Sequence, residues 1–541
     1  MGKFLYFHSN QKNLVNRALT IAKNFFSDVR DFHYTHSSEK ELLFINNSKA
    51  IHINSFNFAC GVPATVGSVA DQCLFSFKCQ VTEDVIQLIP DQTASRSVWY
   101  ITIDDQIIIS SSQRLIIQIL NSFELNQQAI SWFVATGSTG PATSWDRRIK
   151  HVLPGNRIII NKHDYSISTE KIGVKSYSDQ FEKITDYVFS KFDNTHKWGI
   201  TLSGGYDSRA VAASMVKQGI DVEAFTWGTV QSLENKFSDS TVAKEVADSL
   251  GITHTFISHS LGETNPEFVF DTYLKIGEGR IDHINSFSDG LHFWKRVYES
   301  DINGIVRADE AFGWLKASSE KDVRISLDLN YPNDYENFGT LFTENLQLPL
   351  WPDSFYRKKE ETIATWRDRL YREYRIPYIL SALHDLMLPF AEIINPFLYD
   401  PYIAWVKNQT DESRTNKTKY KRFVEQMMPT IPFAKTPAIA EPEMLLNIES
   451  YKNYVYEELT SLNSKKLFGQ TGVTLASKMM RSKVTESLFK DKIKELLPYQ
   501  VKKALRHAFL PYALPHNRIV LRLFLASKMI RILKDDSSGM L

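Results

Sequence analysis

Cysteine is scarce in this chain: there are three in 541 residues, Cys60, Cys73 and Cys79. An odd number with no CxxC spacing supplies neither a disulfide framework nor a zinc knuckle, so buried free thiols are expected. A charge of one sign is also lacking. Lysine plus arginine number 63 and aspartate plus glutamate 62, so no strong field gathers nucleic acid or a polyanionic substrate. No run of 18 apolar residues occurs, which argues against a membrane-spanning helix. The first residues carry no signal-peptide core, and Tyr6 stands where a myristoylation signal needs serine or threonine. A cytoplasmic protein with no membrane partner is therefore expected. Internal repeats and long low-complexity linkers are missing too, so the two to four domains implied by about 150 residues per domain should pack against one another.

What the sequence does contain is Ser203-Gly204-Gly205-Tyr206-Asp207-Ser208, between the apolar run from Trp198 to Leu202 and the helix-like run from Arg209 to Lys217. It reads as strand, glycine turn, helix N-terminus. Two adjacent glycines would permit a turn with positive φ and close approach of backbone amides to a ligand, and a helix N-terminus favours phosphate. Ser203 and Ser208 add hydroxyl donors, and Asp207 is a magnesium ligand candidate on the same phosphates. A Walker-type loop would need a lysine after its last glycine, and none is there. An ordinary strand-to-helix turn is the alternative.

Residues 1–175 carry short strand-like runs, among them 97–103, 106–110 and 157–161, as expected of an α+β or layered β region. From Trp198 strands and helices alternate: strands at 198–202, 222–226 and 254–257, helices at 207–217 and 239–250, then a strand at 303–306 running into Arg307-Ala308-Asp309-Glu310-Ala311-Phe312-Gly313-Trp314. Alternation implies a parallel sheet whose ligands lie beyond the carboxyl ends of the strands. After about residue 360 the apolar spacing is helical, and no further strand is expected. The basic stretch 501–534, broken by Pro511 and Pro515, reads as a solvated helix packed on the domain, or as a membrane-surface or partner helix.

The glycine loop, Asp309-Glu310 followed by Phe312-Gly313, and Asn395-Pro396-Phe397-Leu398-Tyr399-Asp400 together resemble the asparagine synthetase superfamily. Lys417-Thr418-Lys419-Tyr420-Lys421 before Met428-Pro429, then Lys435, are similar to that family's basic helix and loop lysine. The resemblance implies an α/β fold. It comprises an ATP-pyrophosphatase (adenine nucleotide alpha hydrolase-like) parallel-sheet domain over 176–435, an N-terminal Ntn-like α+β domain over 1–175 and a helical extension over 436–541. It also implies an AMP-forming ligase that adenylates a carboxylate with ATP and Mg2+ and passes it to an amine. Ser203, Gly204, Gly205, Asp207, Ser208, Thr226 and Trp227 would hold the nucleotide, Trp227 being otherwise a core aromatic. Asp207, Asp309 and Glu310 would hold magnesium, Asp309 being otherwise a helix N-cap. Lys435 would neutralise departing pyrophosphate, or is a solvated loop lysine, and Arg307 would contact phosphate or a substrate carboxylate.

Two positions depart from the family. Glutamine-using members carry a nucleophilic cysteine directly after the initiator methionine, and here that residue is Gly2. Glycine has no side chain for attack on an amide, so a retained but silent glutaminase-like domain is expected. Val306 stands where members carry a polar residue near the reacting centre, which leaves Glu278, Asp282 and His283 as general-base candidates by position, or as surface-loop residues. Relatives with a silent first domain include β-lactam synthetases and lasso-peptide cyclases, so the partners implied are a small-molecule or peptide carboxylate and an amine, with a precursor peptide as one option. A catalytically silent nucleotide-binding scaffold is the reading from another class.

Overall fold

The computed structural model describes residues 3–26, 33–46, 51–61, 74–141, 144–173, 177–192, 196–258, 262–288, 291–300, 302–335, 346–428, 430–436, 438, 442–481 and 513–539. Gly2, Cys73, Pro429 and the 501–512 part of the basic stretch lie outside the described residues.

The first region is two six-stranded antiparallel sheets. One runs in the order Lys150–His151, Trp99–Ile103, Gln106–Ser110, Lys3–Ser9, Glu41–Asn46, His33–Ser37. The other runs Ile167–Lys171, Asn156–Asn161, Val85–Pro90, Phe75–Val81, Asn57–Gly61, Ile51–Asn54. Side chains alternate across a strand, and Lys3–Ser9 shows the result. Phe4 and Tyr6 enter the core between the sheets with Phe58, Phe77, Cys60 and Cys79. Leu5 and Phe7 face the other way, onto a helical layer that includes Leu115, Ile116 and Phe133. Cys60 and Cys79 are free, and burial pushes the Cys60 thiol up to about 12.

Five parallel strands form the third sheet, in the order His254–Ser258, Val222–Gly228, Trp198–Thr201, Gly304–Val306, Glu392–Ile394. Sequence order thus reverses between Trp198–Thr201 and Gly304–Val306, and such a switch point opens a crevice at the strands' carboxyl ends. The edge strand Glu392–Ile394 corrects the expectation that strands end near residue 360: three residues are too few to show a period, yet they pair in register with Gly304–Val306.

The C-terminal helix His516–Ser537 is another correction. It is buried along Ile519 to Leu533 and belongs to the same core as Leu115 and Phe133 of the first region and Val269 and Phe270 of the second. Four of its basic side chains are paired: Arg518 and Arg522 with Asp282, Lys528 with Asp271, Arg531 with Glu458. A helix solvated on one side does not fit this, because pairing lets the cations lie among apolar neighbours. No described helix is long and apolar enough to cross a membrane.

Candidate active site

The glycine turn follows the sheet's middle strand. Leu202 N–H donates to Phe225 O at 2.9 Å, which carries the pairing to the edge of the turn. Ser208 Oγ then accepts from Ser203 N at 3.0 Å, and Ser203 Oγ accepts from Gly205 N at 3.3 Å. Neither glycine has positive φ, contrary to the expectation. Close packing is the reason for Gly204 instead: a Cβ there would lie 2.5 Å from Ala434 Cβ and 2.8 Å from Val242 Cβ. Gly205 is the N-cap of the helix Tyr206–Lys217 and brings no capping side chain, so the first-turn amides keep their affinity for an anion.

A residue unnoticed in the sequence organises the outer wall. Arg209 is fully buried and donates to Ile431 O at 2.8 Å and Pro432 O at 2.7 Å. Its guanidinium lies 4.1 Å from the Phe433 ring centroid, and Phe433 stacks on Tyr206 at 3.8 Å. Ala434 N–H donates to Gly204 O at 3.0 Å. The loop carrying Lys435 is thereby fastened to the glycine turn. The Lys435 side chain is exposed and its Nζ lies over the Phe237 ring at 4.3 Å; it does not reach the acids.

Lys417 does. Its Nζ is 3.0 Å from Asp207 Oδ2 and 2.5 Å from Glu310 Oε1. Lys417 has left-handed backbone (φ 58°), as does Asn416 (φ 56°), a conformation that costs on the order of 1 kcal/mol or more for such residues and persists when neighbours impose it. The neighbours are Trp314 O, which accepts from Asn416 N at 2.8 Å, and Lys316 N, which donates to Asn416 Oδ1 at 3.1 Å. Burial, reinforced by the Asp207 charge, pushes Glu310 up to about 7 although Lys417 acts to lower it. Burial acts to lower Lys417, but Glu310 and Asp207 outweigh it and raise it. Asp207 Oδ1 is buried and makes no well-formed hydrogen bond among the described residues, with the Tyr420 hydroxyl as its neighbour.

Asp309 lies in a separate knot. Arg307 Nε donates to its Oδ2 at 3.0 Å, His384 Nε2 lies 2.7 Å from the same oxygen, and Asp309 N donates to Asn395 Oδ1 at 3.3 Å. Burial opposes the charge of Asp309, but Arg307 and His384 prevail and hold it well below the usual carboxylate range. The three acids read as a magnesium set therefore do not converge: Asp207 and Glu310 share Lys417, and Asp309 turns to Arg307 and His384. Among the described residues no group of three or more His, Cys, Asp or Glu is arranged to hold a metal.

Thr226 Oγ1 donates to Leu202 O at 2.6 Å and meets His254 Nε2 at 3.0 Å. Trp227 packs on Phe293 and Trp294 at 4.4 and 5.8 Å. Val306 is fully buried in the sheet core. Of the general-base candidates, Glu278 is buried and accepts from Ser112 Oγ and from Gln113 N at 2.9 Å. Asp282 is clamped by Arg518 and Arg522, each at 2.7 Å, with His283 Nδ1 3.3 Å away. Burial raises the Glu278 carboxyl, whereas Arg518 and Arg522 outweigh burial and hold Asp282 well below the usual carboxylate range; both acids tie the regions together.

A parallel α/β sheet thus carries a serine-glycine loop at its switch point, with Asp309 and Glu310 beyond the next strand. Residues 182–271 match the family model described as asparagine synthase. Asparagine synthetase [glutamine-hydrolyzing] 1 of Bacillus subtilis (strain 168) is 25% identical over 173 residues, which is 30% of this chain and 27% of that protein. Through that segment the chain is similar to the asparagine synthetase superfamily. The match spans about a quarter of the relative's length. A solved glutamine phosphoribosylpyrophosphate amidotransferase from B. subtilis, complexed with ADP and GMP, is 12% identical over 47% of this chain and 46% of its own. Its TM-score of 0.12 is too low to say anything of the fold.

Proposed function

We propose that the chain is an ATP-dependent, AMP-forming amide synthetase, in which 176–435 is an ATP-pyrophosphatase-type domain. The observation that carries this is the uncapped helix start behind Ser203–Ser208, with Asp207 and Glu310 meeting on Lys417 beside it. A substrate carboxylate oxygen attacks the α-phosphorus of ATP and pyrophosphate leaves. An amine then attacks the acyl carbon, AMP leaves with the C–O bond electrons, and the amine loses a proton. Ser203, Gly204, Gly205 and Ser208 cradle the phosphates, and Thr226 and Trp227 at the next strand's end face the adenine side.

Magnesium fits the donor set through Asp207 and Glu310, because it is commonly held by one or two carboxylates plus substrate phosphates; when bound it would neutralise charge on the leaving pyrophosphate. Asp207 Oδ1, buried and without a well-formed hydrogen bond beside the Tyr420 hydroxyl, is the atom that supports this fit. Asp309 would be a third ligand only on releasing Arg307. Lys417 holds the two carboxylates together, and Lys435, on the loop docked to Gly204, would have to leave the Phe237 ring to meet departing negative charge.

Glutamine is not the nitrogen source in this reading, because Gly2 cannot attack an amide. The acceptor is then free ammonia or an amine. Where carboxylate and amine share one molecule, as in ring closure, their proximity supplies on the order of 7–11 kcal/mol of the barrier. The buried Val306 makes an acceptor that arrives uncharged the simpler partner. Glutamate release from glutamine above the rate without enzyme would contradict glutamine independence. Pyrophosphate release across a panel of carboxylates and amines tests the whole reading, and formation of ADP and phosphate would refute it.

A further inference from the structure

His384 takes no part in the reading above, yet it joins the first region of the chain to an acid of the site. Its Nε2 lies 2.7 Å from Asp309 Oδ2 and 3.0 Å from Asn395 Nδ2, and its Nδ1 lies 3.3 Å from Ser95 O. Asn395 also accepts from Asp309 N, at 3.3 Å. The ring is therefore held on both sides, and the holder on the Nδ1 side is a backbone carbonyl some 290 residues away in sequence.

That carbonyl is itself fixed. Asp91 caps the turn 91–95, accepting from Thr93 N at 2.8 Å, Thr93 Oγ1 at 2.9 Å, Ser95 N at 3.1 Å and Ser95 Oγ. The adjacent Arg96 is buried against Glu392 of the edge strand at 2.5 Å. Ser97 and Asp385 meet on Arg280, Asp385 at 2.6 Å. Between them lies a cavity of about 10 Å3, lined by residues that include Ser95, Arg96, His384 and Asn395, at the lower limit for one water. Little room remains for the ring to turn.

We propose that His384 is a positioning residue for Asp309, and that the 91–97 turn of the N-terminal region aims it, so that this region completes the synthetase site by holding it in place. The proposal rests on the functional reading for its kinetic test only. Partners that orient a site carboxylate typically cost 10- to 100-fold when removed, so His384→Ala should lower pyrophosphate turnover at least about 10-fold with the KM for ATP changed less than 3-fold. His384→Gln, whose amide can reach the Nε2 position, should restore a large part. Asp91→Ala should lower turnover in the same way, and the double variant should be no worse than the worse single one, since both act through one ring.

Thermal melting of the full chain keeps simple unfolding apart from mispositioning. Mn2+ binding in the presence of ATP, read by electron paramagnetic resonance, is the second readout. With ATP and the metal present Asp309 would leave Arg307 and join as the third ligand, held by His384, so His384→Ala and Asp91→Ala should weaken Mn2+ binding by a common factor that the double variant does not exceed. Wild-type turnover in His384→Ala, or losses that multiply in the double variant, would overturn the proposal. If the wild type released no pyrophosphate from any substrate pair, the functional reading alone would fail. The Mn2+ series would then decide the positioning claim, unchanged binding in all three variants refuting it.

Discussion

Two glutamates, Glu41 in the N-terminal sandwich and Glu310 beside the parallel sheet, each lie 2.5 Å from a lysine ammonium, and their carboxyls are shifted in opposite directions. Glu41 meets Lys162, Tyr6 Oη and, at 3.7 Å, His8. Burial works to raise it, but contacts with His8, Lys162 and Tyr6 outweigh burial and bring it down to about 2. Glu310 accepts from Phe312 N and from one lysine that must also serve Asp207, and its burial, reinforced by the Asp207 charge, pushes it up to about 7. Burial and the number of cationic partners make the difference. One carboxylate with several side-chain donors closes its network, whereas two carboxylates on one ammonium leave negative charge in surplus, with one oxygen of Asp207 making no well-formed hydrogen bond and the Tyr420 hydroxyl as its neighbour. In the proposed reading, that surplus is where a cation and its phosphates would be held.

Breaking the open cluster should cost activity and breaking the closed one should cost stability. The largest effect is expected for Asp207→Ala, a loss of pyrophosphate turnover on the order of 100- to 1000-fold, with the melting temperature close to wild type. Lys417→Ala comes next. It leaves two carboxylates facing each other without compensation, so turnover should fall about 100-fold and the dependence on Mg2+ concentration should change with it. Lys435→Ala should lower turnover more than it weakens ATP binding, because its charge matters only as the leaving group forms; near wild-type turnover would leave Lys417 as the one lysine of the site.

In the closed cluster, Glu41→Gln should leave turnover unchanged. A carboxyl held near 2 contributes stability that is present above its unfolded value near 4.5 and lost as pH falls toward 2. The loss should be on the order of 2–3 kcal/mol, and acid titrations of melting temperature should show a shallower fall for Glu41→Gln across that window. The smallest effect concerns Cys60: with its thiol near 12, a thiol reagent at pH 8 should leave it unmodified until the chain unfolds.

The sheet was legible wherever strand and helix alternate. Strands expected at 198–202, 222–226, 254–257 and 303–306 correspond to Trp198–Thr201, Val222–Gly228, His254–Ser258 and Gly304–Val306. The glycine loop was legible as well, because its residues are adjacent in sequence. Its backbone reason was not: Gly204 is required by Ala434 and Val242, contacts that exist only after folding. The same holds for the electrostatics. Lys417 meets Asp207 across about 210 positions and His384 meets Asp309 across 75, so the sequence offered charged residues such as Arg307 and Glu310 without saying which opposite charge each would face. The helix His516–Ser537 misled for a related reason: its arginines looked solvated because Asp282, which neutralises two of them, lies some 240 residues earlier.

The most direct measurement is the product pair formed from α- and γ-labelled ATP by the full chain with Mg2+, a panel of carboxylates and free amines. AMP and pyrophosphate are expected, dependent on both carboxylate and amine and abolished by Asp207→Ala. ADP and phosphate, or AMP formation that survives Asp207→Ala, would contradict the account.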